Sequence, residues 1–524
     1  MNQPMTTNDT TPSFRSLHWI ALGLICAPLI GLGASEPASR TRLNVLFFVS
    51  DDLRPELGCY GNPIIQSPNI DRLARRGLVF ERAYCQQAVC SPSRTSVLTG
   101  TRPDTSKVWD LNTHFRKALP DVVTLPELFR KNGYVSRGLG KIFHGDASTH
   151  SGLDDLQSWS DSAPVKDAPA AGNAKQETAS AARSRKSAAT KTAGSAGAAV
   201  GKAGVPLTST NRGPAFRATD EPPHGGGEGR LADDAIAALR KFKADSQPFF
   251  LAVGFHKPHL PFNSPKAYWD LYDPAKIPLA TNPFLPKDAP AYALVEKAEM
   301  WSYSGVPDVS QIPDDYARQV KHGYYAAVSY MDAQLGRVLD ELDRLGLRDN
   351  TLVVLWGDHG WKLGEHGRWA KHSNMENDAR APLILSAPGM KHAGQHTAAL
   401  VEFVDIYPTL ADLAGLPLPA HLEGTSLKPL LDDPKSSVKS AAFSQYPRSV
   451  AGRQLMGYSM RTDLYRFTRW VDRDDHTKVD AVELYDHATD PQENVNIANV
   501  PANRALVEQL TAQWLGGWKA ARAH

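Results

Sequence analysis

Leu43-Asn44-Val45-Leu46-Phe47-Phe48-Val49-Ser50-Asp51-Asp52 is an almost unbroken apolar run that ends on two carboxylates. Such a run reads as a strand buried on both faces, because a parallel sheet is covered by helices on either side. Pro248-Phe249-Phe250-Leu251-Ala252-Val253-Gly254-Phe255, Thr351-Leu352-Val353-Val354-Leu355-Trp356 and Ala381-Pro382-Leu383-Ile384-Leu385 repeat the pattern. The first two also end in polar residues, His256-Lys257-Pro258-His259 and Gly357-Asp358-His359-Gly360. Helical apolar spacing occupies 230–243 and 316–345, with shorter helices at 67–74, 124–133 and 404–414. Strands and helices alternate, so the bulk of the chain is predicted to be α/β, a sheet flanked by helices. Ligands of such sheets collect at the carboxyl ends of the strands, where Asp51, Asp52, His256, Asp358 and His359 stand. From about residue 437 the pattern shifts to short alternating segments and a final helix over 503–518. That predicts a smaller C-terminal α+β subdomain built on an antiparallel sheet.

The chain has 524 residues, enough for a large core, and a net charge of only +2, which implies no nucleic-acid partner. At the N-terminus, Arg15 and His18 precede an apolar run over 20–32 and then Gly33-Ala34-Ser35. This is the layout of an export signal over 1–34, cleaved near Ala34 and too short to make a stable membrane span. The protein is therefore expected to be exported, periplasmic or secreted. Residues 161–220 are dominated by Ala, Ser, Gly, Lys and Pro, with almost no large apolar residue before Phe216. Such a segment buries too little surface to order itself and is expected to be a disordered low-complexity insertion. Of four cysteines, Cys26 leaves with the signal, and Cys59, Cys85 and Cys90 remain. Either Cys59 and Cys85 pair, leaving Cys90 for other chemistry, or both stay as buried thiols.

Cys90-Ser91-Pro92-Ser93-Arg94 is followed by Thr95 and by Leu98-Thr99-Gly100. This C-x-P-x-R stretch with its L-T-G extension resembles the signature of type I sulfatases, whose cysteine is oxidised to formylglycine. The chemistry that the resemblance implies accounts for the residues: a thiolate is a poor nucleophile toward a sulfate ester, because the anion repels it. An aldehyde hydrate at the same position offers one hydroxyl for attack and a second to collapse and regenerate the aldehyde. Arg94 sits one helical turn further on, placed to steady developing negative charge.

The likeness continues in Asp51-Asp52-Leu53-Arg54-Pro55, Gly58-Cys59-Tyr60-Gly61, Arg102-Pro103-Asp104-Thr105, His256-Lys257-Pro258-His259, and the block from Asp358 through Gly367 to Trp369-Ala370-Lys371. These blocks are similar to the iduronate-2-sulfatase-like branch of that family. The resemblance implies an alkaline-phosphatase-like mixed sheet, a catalytic domain over 40–436 and a C-terminal subdomain over 437–524. It implies that Cys90 becomes formylglycine and joins Asp51, Asp52, Asp358 and His359 around a metal. Calcium suits that oxygen-rich set, with magnesium a further option. By the same resemblance Arg94 and Lys141 hold the hydrate and the sulfate, and His144 deprotonates the second hydroxyl. His256 and Lys371 contact the sulfate and protonate the leaving oxygen. His259, Glu365 and His366 are expected to be structural. The partners implied are a sulfated carbohydrate, with a uronate 2-O-sulfate as the first choice, and a formylglycine-generating maturation enzyme. Lys362 after Trp361 departs from the pattern, as do the insertion and the C-terminal part. Two other readings remain at this stage: a phosphonate or phosphate ester hydrolase of the same superfold, and a non-catalytic exported glycan-binding protein.

Overall fold

The computed structural model describes residues 42–160 and 205–522. The export signal and most of the low-complexity segment lie outside these residues. Seven strands make the main sheet: β1 (Asn44–Asp51), β2 (Leu78–Tyr84), β3 (Val135–Gly140), β4 (Phe249–Pro258), β5 (Thr351–Gly357), β6 (Leu383–Ser386) and β7 (Gln395–Glu402). Their spatial order is β7-β2-β6-β5-β1-β4-β3. β6 alone runs antiparallel to both neighbours, so the sheet is mixed. β1 lies between β4 and β5, with Leu46 opposite Leu251 and Val353.

That central position explains the apolar run. Successive side chains of a strand point to opposite faces, and here each face meets its own core. Leu46 and Phe48 pack into the cluster formed with the helices α4 (Gly226–Ala244) and α5 (Asp314–Arg344), whereas Val45, Phe47 and Val49 pack into the one on the opposite face. The second cluster includes residues of α2 (Cys90–Thr99), α3 (Leu125–Lys131) and α6 (Ile406–Leu413). Each fully buried Phe or Leu in β1 contributes on the order of 1.5–3 kcal/mol relative to exposure. α1 (Pro68–Ala74) completes the first face.

Four antiparallel strands, β8 (Ala442–Val450), β9 (Arg453–Arg461), β10 (Tyr465–Asp472) and β11 (Val479–Asp486), form the C-terminal sheet in sequence order. The closing helix α7 (Arg504–Ala520) packs on it through Leu510, against Met460, Phe467 and Leu484. This sheet and the main sheet belong to one compact unit.

Part of the compositionally poor segment behaves differently from expectation. Leu207 bridges to Pro307, Pro214 bridges to Ser304, and Phe216–Thr219 pairs in parallel with Phe262–Pro265. Residues 205–220 are thus held by backbone pairing, to which side-chain composition is blind. Cys59 and Cys85 are free thiols, so the unpaired alternative is the one found.

Candidate active site

The site is assembled where β1, β4 and β5 end. β1 stops at Asp51, and Asp52 adopts a left-handed backbone with φ of 62°. That conformation costs a non-glycine residue on the order of 1–3 kcal/mol unless its surroundings hold it. They do: the Asp52 N–H donates to Asp358 Oδ1 at 3.0 Å, and Tyr324 donates to the Asp52 carbonyl at 2.8 Å. On an extended strand the carboxylates of Asp51 and Asp52 would face opposite ways. The turn brings both toward Cys90.

Cys90 is the first residue of α2, every residue of which is buried. Pro92 falls within the first turn, where its missing N–H costs nothing. Gly100 ends the helix in the left-handed region at φ of 67°, its N–H bonded to the Ser96 carbonyl at 2.9 Å. The L-T-G extension is therefore the helix stop. Cys90 Sγ lies 3.2 Å from Asp51 Oδ1 and 3.3 Å from His359 Nε2. Ligand atoms of Asp51, Cys90, Asp358 and His359 all converge within 4.8 Å. Asp51, Asp52, Cys90 and His259 form an overlapping group of the same size. Burial and the Asp51 charge push the Cys90 thiol well above its ordinary range. As a plain thiol it stays protonated and inert.

Cations surround this group on its outside. Arg94 is fully buried and donates from Nε to Asp358 Oδ2 at 2.9 Å, and from Nη1 to the carbonyls of Lys141 and Ile142. Its Nη2 lies 3.5 Å from Asp51 Oδ1. Lys141 pairs with Asp51 Oδ2. Lys371 reaches Asp52 Oδ1 at 2.9 Å and Glu299 Oε2 at 2.7 Å, and lies 4.8 Å from the Trp361 ring. Burial opposes ionisation of Asp51, yet Lys141, His259 and Arg94 hold its carboxyl well below the usual range. Burial and the neighbouring Asp51 instead raise Asp52. Lys371 is held well above the ordinary lysine range by Asp52 and Glu299, against the effect of its burial. Two adjacent aspartates therefore have opposite protonation tendencies.

His359 Nδ1 sits 2.9 Å from the Gly360 carbonyl. With the proton assigned there, Nε2 presents its lone pair to Cys90 and Asp358. Gly360 has no room for a side chain, since a Cβ would strike the Asn377 and Arg380 carbonyls. Gly254 on β4 is equally constrained by the Lys141 carbonyl, so the loop bearing Lys141 and His144 lies directly on the strand. His144 is pushed down to about 4 by burial and the Lys141 charge, and its buried Nδ1 has no partner. His256 is exposed, yet the protein crowded around its ring and the Lys141 charge push it down to about 4, against the pull of Asp51.

Of the residues singled out from sequence, Cys90, Arg94, Lys141, Lys371, Asp51, Asp52, Asp358 and His359 are linked by direct contacts. His144 and His256 respond to the charges of the same group. Lys362 points away: its ammonium is buried against Asp378 and lies 2.9 Å from Ser373 Oγ, bracing the loop that carries Lys371. Glu365 pairs with Arg54 at 2.9 Å and fixes that loop from its other side. His259, expected from sequence to be structural, and Glu299, which the sequence reading did not mark, brace the cluster from one side. His259 lies 3.0 Å from Glu299 Oε1 and 3.8 Å from Asp52 Oδ2, and Glu299 anchors Lys371 as well. Glu299 stands in a long connection with no apolar period, so no sequence signal marked it.

The donor set of carboxylates and one imidazole, gathered around a protonated thiol, fits a hard divalent cation. Among the described residues no helix is long and apolar enough to cross a membrane.

The Sulfatase family model matches residues 43–416, and the model of the N-sulphoglucosamine sulphohydrolase C-terminal region matches 364–517. The iduronate 2-sulfatase of Mus musculus is 35% identical, covering 97% of this chain and 100% of its own. The human enzyme of the same name is also 35% identical, over 93% of this chain and 96% of its own. Among solved structures, a protein in complex with its substrate D-glucosamine-2-N,6-O-disulfate superposes with a TM-score of 0.67 at 22% identity, over 91% of this chain and 98% of that one. The phosphonate monoester hydrolase of Agrobacterium radiobacter gives 0.68 at 22% identity, over 91% and 96%. At that identity these structures speak for the fold, a mixed sheet flanked by helices with a smaller C-terminal sheet. The chain belongs to the sulfatase family, whose members are sulfuric ester hydrolases; membership implies a metal ion and a formylglycine. The two family models overlap at 364–416, so the main and C-terminal parts share the loop that holds Lys371.

Proposed function

We propose that the protein removes the sulfate ester from a sulfated sugar, and that the 2-O-sulfate of a uronic acid within a polysaccharide is its substrate. One observation carries the reading: Cys90 Sγ sits 3.2 Å from Asp51 and 3.3 Å from His359 at the head of a buried helix. The substrate class is supported by the 35% identity to iduronate 2-sulfatases over nearly the whole chain.

Asp51, Asp52, Asp358 and His359 would hold the cation, with calcium favoured over magnesium by the oxygen-rich donors. When bound, that ion polarises the sulfate oxygens and favours an ionised nucleophile. Residue 90, as an aldehyde hydrate, presents one hydroxyl to sulfur and keeps a second for regeneration. Arg94 fixes α2 against Asp358 and the Lys141 carbonyl, setting the position of residue 90. Lys141 and Lys371, both kept protonated by aspartates, offer ammonium groups to the sulfate oxygens. His144 is neutral at physiological pH and can accept the proton of the second hydroxyl. His256, which is exposed, is assigned to the leaving oxygen, and an anionic ester beside it favours its protonated form.

The first test is mass spectrometry of the Cys90 peptide from a host able to mature it, where formylglycine is about 18 Da lighter than cysteine. The second is a screen of defined sulfated disaccharides. Preference for a 6-O-sulfated glucosamine over a terminal 2-O-sulfated uronate overturns the substrate choice without touching the reaction class. Turnover of phosphonate monoesters in preference to aryl sulfates would overturn the class. Residues 1–34 are assigned to export, so a mature N-terminus near Ser35 is expected by N-terminal sequencing.

A further inference from the structure

Away from Cys90, the C-terminal sheet and its closing helix leave a cleft against the segment that follows α2. It is lined by Arg102, Asp104, Tyr458, His476, Trp514 and Trp518 among others, and no residue of the catalytic cluster takes part. Its volume is about 230 Å3. Pockets that enclose a whole small ligand run to roughly 300–1,000 Å3, so this one suits a single ring of a longer chain.

The rings here meet cations. Arg102 lies 4.8 Å from the Trp518 ring and Arg522 4.7 Å from it, while Arg469 lies 4.6 Å from Trp514. Along the rim, Arg473 and Lys107 each stand 5.5 Å from Trp109. Arg102 is paired with Glu402 and Arg473 lies 3.9 Å from Asp474, whereas Arg469 has no acidic partner among the described residues and is perturbed only by its partial burial. Arg102 is 7% exposed and gives its Nη atoms to Glu402 at 2.8 Å each, yet its buried Nε has no partner. The single lining acid, Asp104, is already committed to Tyr458 Oη at 2.6 Å, Gln445 Nε2 at 2.8 Å and Trp109 Nε1 at 3.0 Å. Guanidinium groups seated on indole rings keep donors at their outer edges, and such donors suit sulfate or carboxylate oxygens.

We propose that this cleft is a second carbohydrate site, which grips a sulfated stretch of polysaccharide away from the bond under attack. The identity of the ligand rests on the sulfated-sugar reading of the Cys90 cluster.

The test measures binding of heparin, with hyaluronan as the unsulfated control, in a Cys90→Ala background where no turnover occurs. Trp518→Ala and Arg469→Gln are each expected to weaken heparin binding by about tenfold. Arg348→Gln, the same charge change at the amino end of β5, is expected to stay within about twofold. With Cys90 intact, both cleft variants should turn over a small aryl sulfate at the rate of the unaltered enzyme. Should Trp518→Ala fail to fold, Arg469→Gln carries the test, since its guanidinium lies 4.6 Å from the Trp514 ring and makes no ion pair among the described residues. Heparin binding unchanged in the cleft variants, an equal loss in Arg348→Gln, or hyaluronan bound as tightly as heparin would each overturn the proposal. An unaltered enzyme that fails on the aryl sulfate strikes the catalytic reading instead.

Discussion

Asp51, Asp358, His359 and Cys90 bring their ligand atoms within 4.8 Å of one another, and so do Glu376, His487 and Glu493 at the seam with the C-terminal sheet. By composition both groups resemble metal centres. In the second, the cations stand inside the group. Arg466 bonds Glu493 Oε1 at 2.5 Å and also Glu376, Arg461 Nη2 lies 2.9 Å from His487 Nδ1, and His487 Nε2 lies 2.9 Å from Glu493 Oε1. Every charge is answered, and the assembly fastens β9 and β10 to the loop after Lys371. In the first, Lys141 takes Asp51 Oδ2 and Lys371 spans both oxygens of Asp52, while Asp51 Oδ1 faces the Cys90 thiol. The first group keeps a nucleophilic side chain among its acids, whereas the second holds only acids, a ring and the cations that fasten them.

The sharpest way to break this contrast is Cys90→Ala, which should lower turnover by on the order of 10^4-fold or more. Its melting temperature should match that of the parent, because strand ends preform the site. Residual activity within tenfold would sink the nucleophile assignment. Arg466→Met should do the reverse. Leaving Glu376 and Glu493 buried without their cation is expected to cost about 3–5 kcal/mol in denaturant unfolding. The fraction still folded should keep its kcat.

Chelation separates the clusters next. Removing divalent ions should abolish turnover, and calcium at 100 times its Kd should restore about 2.7 kcal/mol of stability. Asp358→Asn should lose that calcium-dependent rise in melting temperature, whereas Arg466→Met should keep it. An active, ion-free enzyme would refute the cation assignment.

The smallest effect concerns pH. His144 and His256 are both pushed down to about 4 in the folded chain, against about 6.5 in the unfolded one. As pH falls below 6.5 the unfolded chain binds protons that the fold does not accept until about 4. The stability these rings contribute is thus present above pH 6.5 and lost across that window. His144→Asn should make the decline in melting temperature between pH 6.5 and 4 shallower, and an unchanged slope would show that other groups carry it.

Much of this site was legible because its residues end strands that are themselves legible. β1, β4 and β5 are covered on both faces, so their apolar runs point straight to Asp51, His256 and Asp358. β2 was not read, because Glu81 and Arg82 interrupt its apolar run. Nor was β7, at the edge of the sheet, whose first half is open to solvent and reads as polar. Glu299, which returns to meet His259 and Lys371, was not marked, because a lone acid in a long connection carries no sequence signal. The ordered residues 205–220 were missed for a related reason, since bridges to Ser304 and Pro307 use backbone groups that every residue carries.

The left-handed backbone at Asp52 has an evolutionary corollary. Because one residue reverses the strand, neighbouring codons supply two arms of a single vessel. Asparagine or glycine can stand at 52 without disturbing that bend, but a valine or isoleucine would be expelled by sterics before chemistry had any say. Mutational drift at this position is therefore confined to a narrow corridor that the main chain imposes, whatever ester the lineage comes to favour.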